Sequence, residues 1–121
     1  MKTSEELHAL HRELWGWLAE HPSRGKHNWP GWKRCVADDP SRNLCFACTE
    51  ARIRAGENDQ SPGTSFATCK LCPISWNETS CDSSNGSPYY RFMIARTGKT
   101  KKKYAAIIRD LPWSPRPEVR P

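Results

Sequence analysis

Apolar residues near the N-terminus recur at the spacing of an amphipathic helix. Successive gaps of three, four, three and one residues join Leu7, Leu10, Leu14, Trp17 and Leu18, and Trp15 widens this stripe. Thr3 and Glu6 form a capping-box pattern at its start. His21 precedes a proline, which disfavours helical backbone there. The pattern predicts a helix over residues 4–20.

A second apolar stripe lies near the C-terminus and predicts a helix from about 100 to 111. It consists of Tyr104, Ile107, Ile108 and Leu111. Ser87-Pro88 is typical of a preceding helix start, with Tyr89, Phe92 and Met93 facing inward. Gly98 separates these two helices. Because neither long stripe can stay exposed, we expect Trp15 or Trp17 to pack against Ile107, Ile108 and Leu111.

The middle of the chain carries weaker signals. Proline and glycine punctuate residues 22–43, which predicts irregular structure. A short helix is expected after Cys45, ending at Gly56, and a short strand at 66–68. The proline-rich stretch 113–121 is expected to be extended or disordered. We therefore predict one domain, 1–112, followed by a tail.

The composition predicts a thin core. Leu, Ile, Val and Phe together make up about 14% of the 121 residues, below the roughly 20% at which disorder becomes a concern. Six Trp and six Cys offset this shortage in part. Small cores usually need additional stabilisation, for example from disulfides or a structural metal. The composition excludes a large α/β enzyme fold, and no apolar stretch approaches the length of a membrane span.

Two cysteine pairs provide the strongest chemical signal. The polar, acidic start lacks the apolar core of a signal peptide, so we expect a reducing cytoplasm in which cysteines bind metal. Cys45-x-x-Cys48 and Cys69-x-x-Cys72 are twenty residues apart, as in zinc ribbons and treble clefs. Four thiolates form a closed, structural zinc site. We predict a mainly α domain stabilised by one Zn²⁺ held by zinc-ribbon-like or treble-clef-like cysteine knuckles.

The ligand set has an alternative. Cys81 follows Cys72 by nine residues and could replace a ligand of the second pair. A disulfide framework and unligated thiols are the alternatives to zinc binding, and Cys35 is expected to be a partly buried free thiol.

Catalysis is not predicted. A His-metal nuclease with paired cysteines has its catalytic histidine between or just beside the pairs, and residues 49–68 contain no histidine. The chain lacks a glycine-rich phosphate loop, a nucleophile elbow and a glutamate beside a His/Cys zinc motif. These absences favour a protein that acts by binding.

The positive charge is concentrated in one segment. The net charge is +6, yet residues 91–109 contain seven basic residues and no acidic one, which leaves the rest of the chain at −1. The cations are Arg91, Arg96, Lys99, Lys101, Lys102, Lys103 and Arg109. Such a segment is typical of a surface for a polyanion or an acidic protein. A solvated charged loop is the alternative.

Two tryptophans lie in the segment Asn28-Trp29-Pro30-Gly31-Trp32. In a turn-rich stretch they either fold back as a lid over a small core or form a platform that stacks on bases or on a partner's peptide. As binding residues, Trp29 and Trp32 would supplement the basic segment.

The order of motifs resembles that of small bacteriophage and prophage zinc-binding proteins with paired cysteines. The resemblance rests on Leu14-Trp15-Gly16-Trp17-Leu18-Ala19, Asn28-Trp29-Pro30-Gly31-Trp32, Cys45-Phe46-Ala47-Cys48, Cys69-x-x-Cys72-Pro73-x-x-Trp76, Cys81 and Ile108-x-x-Leu111-Pro112-Trp113. It spans about residues 10–113 and implies a phage accessory product in the cytoplasm of a bacterial host. That group supplies no activity to carry over, and the basic run is not part of the resemblance.

Two functions follow as hypotheses. In the first, the chain binds nucleic acid through basic residues of 91–109. In the second, it is a phage-encoded inhibitor of a host nucleic-acid-binding protein, such as a defence nuclease, of the anti-CRISPR or anti-restriction type. Both use the same side chains, so the sequence leaves both open.

Overall fold

A computed structural model describes residues 3–36, 45–56, 71–74 and 87–114. The described chain is mainly helical, as predicted. Its helices are α1 (Ser4–Glu20), α2 (Trp32–Val36), α3 (Phe46–Arg54), α4 (Pro88–Ile94) and α5 (Gly98–Asp110), and a 3-10 turn covers Lys26–Asn28. The strand predicted at 66–68 lies outside the described residues.

Helix α1 has the bounds that its apolar stripe predicts. The Thr3 hydroxyl accepts a hydrogen bond from the Glu6 N–H, and the Glu6 carboxylate accepts one from the Thr3 N–H, each at 3.1 Å. His21 closes the helix, donating its N–H to the Trp17 and Leu18 carbonyl groups. The buried face carries Leu7, His11, Leu14, Trp15, Leu18 and Ala19.

Helix α5 packs antiparallel to α1. At one end Gly98 lies beside Pro22, and at the other Arg12 is 3.8 Å from Asp110. Between these ends His11 Nε2 donates to the Ile108 carbonyl oxygen at 2.9 Å, a buried hydrogen bond. The helix starts two residues before the predicted position, because Thr97 caps it by accepting from the Thr100 N–H at 3.2 Å.

The chain after α5 is part of the packed unit. Trp113 donates from Nε1 to Ser4 Oγ at 2.9 Å and stacks on His8 at 4.9 Å between ring centroids. It also forms an isolated antiparallel bridge with Ile74. Trp113 and Ser114, which the prediction placed in the tail, are thus in contact with the packed unit, and Ser114 donates its N–H to the Pro73 carbonyl at 2.9 Å. Residues 115–121 of the predicted tail lie outside the described residues.

Helix α4 covers Trp15. This indole is 4% exposed, and the rings of Phe92 and Tyr89 meet it edge-on at 5.0 and 6.0 Å. The rings that contact Trp15 thus belong to α4, whereas the sequence predicted that Trp15 or Trp17 packs against Ile107, Ile108 and Leu111 of α5. Trp17 is half-buried and stacks on His21 at 4.3 Å. The predicted stripe of α5 is also narrower than expected, since Ile107 is 37% exposed while Ile108 is buried.

Helix α3 brings charged groups into the interior. Glu50 is fully buried and accepts a hydrogen bond from Arg54 Nε at 2.7 Å. Arg54 also donates to Ser114 Oγ at 3.0 Å, which ties α3 to the C-terminal segment. Arg52 is 2% exposed and donates to Thr49 Oγ1. Such groups are tolerated in a protein interior only when hydrogen-bonded or paired.

The segment after α1 is more regular than its prolines and glycines predict. It contains the 3-10 turn and α2, and Trp29 folds back over Gly31. A Cβ on Gly31 would lie 2.5 Å from the Trp29 ring, so only glycine fits beneath this indole. Cys35 on α2 is buried against the core.

We expect Trp15→Ala to lower the free energy of unfolding by about 3–5 kcal/mol, because a buried indole and its aromatic contacts are lost. Trp17→Ala is the matched control, and its loss should be clearly smaller. Urea unfolding followed by circular dichroism measures both. Equal losses in the two variants would contradict the packing described here.

His11 should make stability depend on pH. Burial is the main reason that the pKa of His11 falls from 6.5 to about 4. Between these values the unfolded chain binds a proton that the folded chain does not, so stability falls as pH decreases. The contribution is complete above pH 6.5, and about 3 kcal/mol of it is lost near pH 4.

The measurement compares the natural chain with His11→Gln, whose amide can still donate to Ile108. Urea unfolding between pH 7 and pH 4.5 should give a shallower pH dependence for the variant. The difference between the two curves isolates His11 from other titrating groups. Parallel curves would show that His11 is not the responsible group.

Candidate metal centre and basic surface

The first cysteine pair forms the start of α3. Cys45 is the N-cap residue, and its Sγ accepts the Cys48 N–H at 3.3 Å. Cys48 lies in the first turn of the helix, so both sulfurs are on the same end of α3. Backbone N–H groups directed at a cysteine sulfur stabilise its thiolate and orient it as a metal ligand. This half of the predicted zinc site therefore has suitable local geometry.

The electrostatics also favour a thiolate at Cys45. Its pKa falls from 9.0 to about 6, chiefly because the Cys48 side chain donates a hydrogen bond to its sulfur. Burial opposes this shift, whereas the positive charge of Lys26 and the N–H groups of Cys48 and Ala47 reinforce it. Metal binding requires thiolates, and this shift favours one at Cys45 while Cys48 keeps its proton and donates it.

Of the second pair, only Cys72 lies among the described residues. It precedes Pro73 and Ile74, packs against the core and is half-buried. Cys69 and the substitute ligand Cys81 lie outside the described ranges. Within those ranges, His, Cys, Asp and Glu side chains form no group of three or more suited to a metal ion. The predicted four-thiolate set therefore stays a prediction, with Cys45 and Cys48 as its structurally defined half.

Five of the seven cations in the basic segment are solvent-exposed. We call them the basic corner, because they lie on α4, on the turn after it and on the first turns of α5. They are Arg91, Arg96, Lys99, Lys102 and Lys103. Lys101 and Arg109 are half-buried. Lys101 Nζ lies over the Phe92 ring at 5.6 Å, and Arg109 donates to Asp110, so these two cations are used within the fold. Lys103 Nζ lies over the Tyr104 ring at 5.3 Å but stays exposed.

The direction of α5 strengthens the positive potential of the basic corner. Lys99, Lys102 and Lys103 lie near the helix N-terminus, where the helix dipole is already positive, and the first turn contains no acidic residue. Acidic side chains would stabilise this end, whereas a lysine in the first turn, as Lys99 is, destabilises it by up to about 1 kcal/mol. The arrangement is thus unfavourable for folding and favourable for an anion.

Two large apolar side chains lie next to these cations. Met93 is 60% exposed and Ile94 is 51% exposed. The expectation that Met93 faces inward is wrong, since Tyr89 and Phe92 occupy the buried side of the short helix α4. Position 93 follows Tyr89 by four residues and shares its face by period alone, so the packing of this short helix, and not the period, decides that Met93 is exposed.

The tryptophans proposed as binding residues contribute to the core instead. Trp29 is 3% exposed and meets Phe46 edge-on at 6.3 Å. Trp32 is half-buried and packs against the same core. The lid alternative therefore describes Trp29, whose ring is not accessible for stacking on a base.

Sequence reasoning missed Lys26. Its Nζ lies 5.5 Å from the ring centroids of both Trp15 and Tyr89, at the junction of α1 and α4. A lysine in a turn-rich segment gives no sequence signal for such a position, because the rings come from distant parts of the chain.

A shallow groove of roughly 360 Å³ follows the outer face of α1. Its lining combines aromatic and charged side chains: Arg12, Glu13, Gly16, Trp17, Glu20, Trp29 and Pro30. The groove opens broadly to solvent and lies on a different face of α1 from the buried stripe, so we assign no ligand to it.

No membrane span was predicted from the sequence. None of the helices in the described part of the chain is both long and apolar enough to cross a membrane.

Comparisons with protein-family models, with curated proteins and with solved structures find no match for this chain. The resemblance to bacteriophage proteins therefore stays a prediction, and function is argued from the geometry of the site.

Proposed function

We propose that this chain is a small metal-stabilised protein that binds nucleic acid through its basic corner and is not an enzyme. The observation that carries the proposal is the exposure of five cations on α4, the following turn and the start of α5. In the setting that the phage resemblance implies, the protein acts in the cytoplasm of a bacterial host.

The energetics of the basic corner support a polyanionic partner. Like charges at this density repel one another, and Lys99 in the first turn also opposes the dipole of α5. Both effects reverse when phosphate groups approach, since each phosphate neutralises a cation and releases its own counterions. Binding to a polyanion would explain why the chain keeps a surface that destabilises the free protein.

The chemistry favours contacts with phosphates over reading of base sequence. Lysine ammonium groups recognise phosphates as point charges. Residues 91–109 contain no Asn or Gln that could pair with an adenine edge. With Trp29 in the core, an indole platform for stacked bases is not available there. We therefore expect binding that depends little on sequence.

A second candidate function is inhibition of a host nucleic-acid-binding protein, such as a defence nuclease. Met93 and Ile94 favour it, because exposed aliphatic side chains beside cations are typical anchors in a protein interface and add little to a phosphate contact. In that case the basic corner would meet an acidic surface of the partner.

We also propose that Cys45, Cys48, Cys69 and Cys72 hold one structural Zn²⁺, with Cys81 as the alternative ligand to a member of the second pair. The hydrogen-bonded turn at Cys45 supports this proposal. A bound metal would add stability on the order of 10 kcal/mol, which suits a chain with so few aliphatic residues.

The triple variant Lys99→Gln, Lys102→Gln, Lys103→Gln tests the basic corner. Glutamine keeps the helix propensity, and Lys101 is left in place because it contacts Phe92. Fluorescence anisotropy with random-sequence DNA and RNA should show weaker binding to every oligonucleotide. The slope of log affinity against log salt should shrink by about two to three units.

The matched control replaces Arg24, Lys33 and Arg34, three exposed cations elsewhere, with glutamine. It has the same net charge and should bind nearly as the natural chain does. Equal effects in the two triple variants would mean that only total charge matters. Met93→Ser with Ile94→Ser separates the second candidate, since it should weaken a protein partner and spare oligonucleotides.

The zinc proposal predicts about one zinc per purified chain. Cys48→Ser should abolish metal retention and much of the helical signal, because the site would lose a ligand. Cys35→Ser is the control and should retain both, since Cys35 lies on α2 and is not a predicted ligand. Metal analysis measures the zinc content of each variant, and circular dichroism measures its helical signal. A zinc content far below one, with disulfides found by mass spectrometry, would refute the proposal.

A further inference from the structure

Helix α5 has two faces of different character. Its inner face contains Ala105 and Ile108, both fully buried, and the helix packs against α1 and α4. An α-helix turns by about 100° per residue, so the residue nine positions before Ile108 lies on the opposite side of the helix. That residue is Lys99, which is solvent-exposed. The outer face of α5 therefore begins with a lysine.

Two further lysines widen this outer face. Lys102 and Lys103 are exposed, and by the helical period they lie about 60° to one side and about 40° to the other side of Lys99. The three side chains thus leave the helix over an arc of about 100° and within about 6 Å of its length. A single line of cations would follow one phosphate backbone, whereas this arc directs positive charge to both sides of the helix.

The dimensions of α5 fit one groove of duplex DNA. A helix with its side chains is about 10–12 Å wide, and the major groove of B-form DNA is about 12 Å wide. Phosphates line both walls of this groove, so lysines on the two sides of an inserted helix meet opposite walls. The minor groove, which is about 6 Å wide, is too narrow to admit a helix.

The elements before α5 add cations near the same end. Helix α4 ends at Ile94 and α5 starts at Gly98, so residues 95–97 join two packed helices. Arg96 in this connection is exposed, and so is Arg91 on α4. Helix-turn-helix proteins use two helices joined by a short turn to place the second helix in the major groove and the first across the backbone.

The far end of the outer face carries the opposite charge. Asp110 follows Lys99 by eleven residues and lies within about 20° of it around the helix. Its side chain is 54% exposed, and its carboxylate pairs with Arg109 at 2.9 Å. Phosphates would repel this carboxylate, so only the first half of α5 suits a groove.

We infer that the first half of α5 enters the major groove of double-stranded DNA. Lys99 faces the floor of the groove, Lys102 and Lys103 contact the phosphates of its two walls, and Arg96 contacts the backbone beside them. This inference rests on the proposed nucleic-acid-binding function and names duplex DNA as its target. Because the contacts are mainly to phosphates, the shape of the groove rather than the base sequence sets the preference.

Fluorescence anisotropy at one salt concentration compares three duplexes of equal length and equivalent sequence. The first is unmodified DNA. The second is DNA in which glucosylated 5-hydroxymethylcytosine replaces cytosine, which fills the major groove with neutral groups and leaves the phosphates unchanged. The third is RNA, whose A-form major groove is deep and narrow. We expect the natural chain to bind unmodified DNA about 10-fold more tightly than either of the other duplexes.

The two triple glutamine variants described above test whether the lysines of α5 create this preference. The variant of the basic corner should bind the three duplexes within about 2-fold of one another, because its remaining cations meet phosphates of any duplex. The matched control has the same net charge and should keep the preference. Circular dichroism shows whether the helices are retained. If the variant of the basic corner loses them, Lys102→Gln and Lys103→Gln replace it, and each should reduce the preference.

The outcomes separate the two proposals. If the natural chain binds no duplex and no single strand, both proposals fall. Equal binding to all three duplexes, or tighter binding to single-stranded DNA, would leave the nucleic-acid-binding function in place and overturn the groove inference. A preference that persists in the folded variant of the basic corner would also overturn it, because the preference would then not depend on α5.

Discussion

The described structure depends on the buried face of α1. Helix α1 contacts α5 and α3, and its Trp15 is covered by α4. The segment around Trp113 contacts the start of α1 through Ser4. A chain with so few aliphatic residues cannot build several independent cores, so its elements share one. Substitutions in this stripe are therefore felt by every neighbour, whereas those on the outer face of α1 are not.

Polar groups fix the arrangement that the apolar contacts permit. An apolar stripe alone tolerates sliding, but the bond from His11 to the Ile108 carbonyl and the bond from Trp113 to Ser4 are each possible in one register only. Buried Glu50 and Arg54 act similarly between α3 and Ser114. Because an unsatisfied buried polar group is costly, these bonds penalise other registers more than they stabilise this one.

The charges of the molecule are distributed with a different logic in two regions. At the junction of α1 and α4, Lys26 is held over the rings of Trp15 and Tyr89, so its charge is used within the fold. At the basic corner, five cations are exposed near the positive end of a helix dipole, so charge is left unbalanced. The first arrangement stabilises the fold and the second suits an external partner, which is why we assign them separate roles.

Local sequence rules determined α1, its cap at Thr3 and the position of the basic segment, because capping, the 3.6-residue period and charge counting need no distant contacts. They also identified Cys45 and Cys48 as a pair. Tertiary packing decided that Trp15 rather than Trp17 is buried, that Trp29 belongs to the core and that Met93 faces solvent. It also decided the position of Lys26, since the rings that hold its ammonium are supplied by residues eleven positions before it and sixty-three after it. No local sequence pattern predicts this contact, because it forms only when the helices pack together.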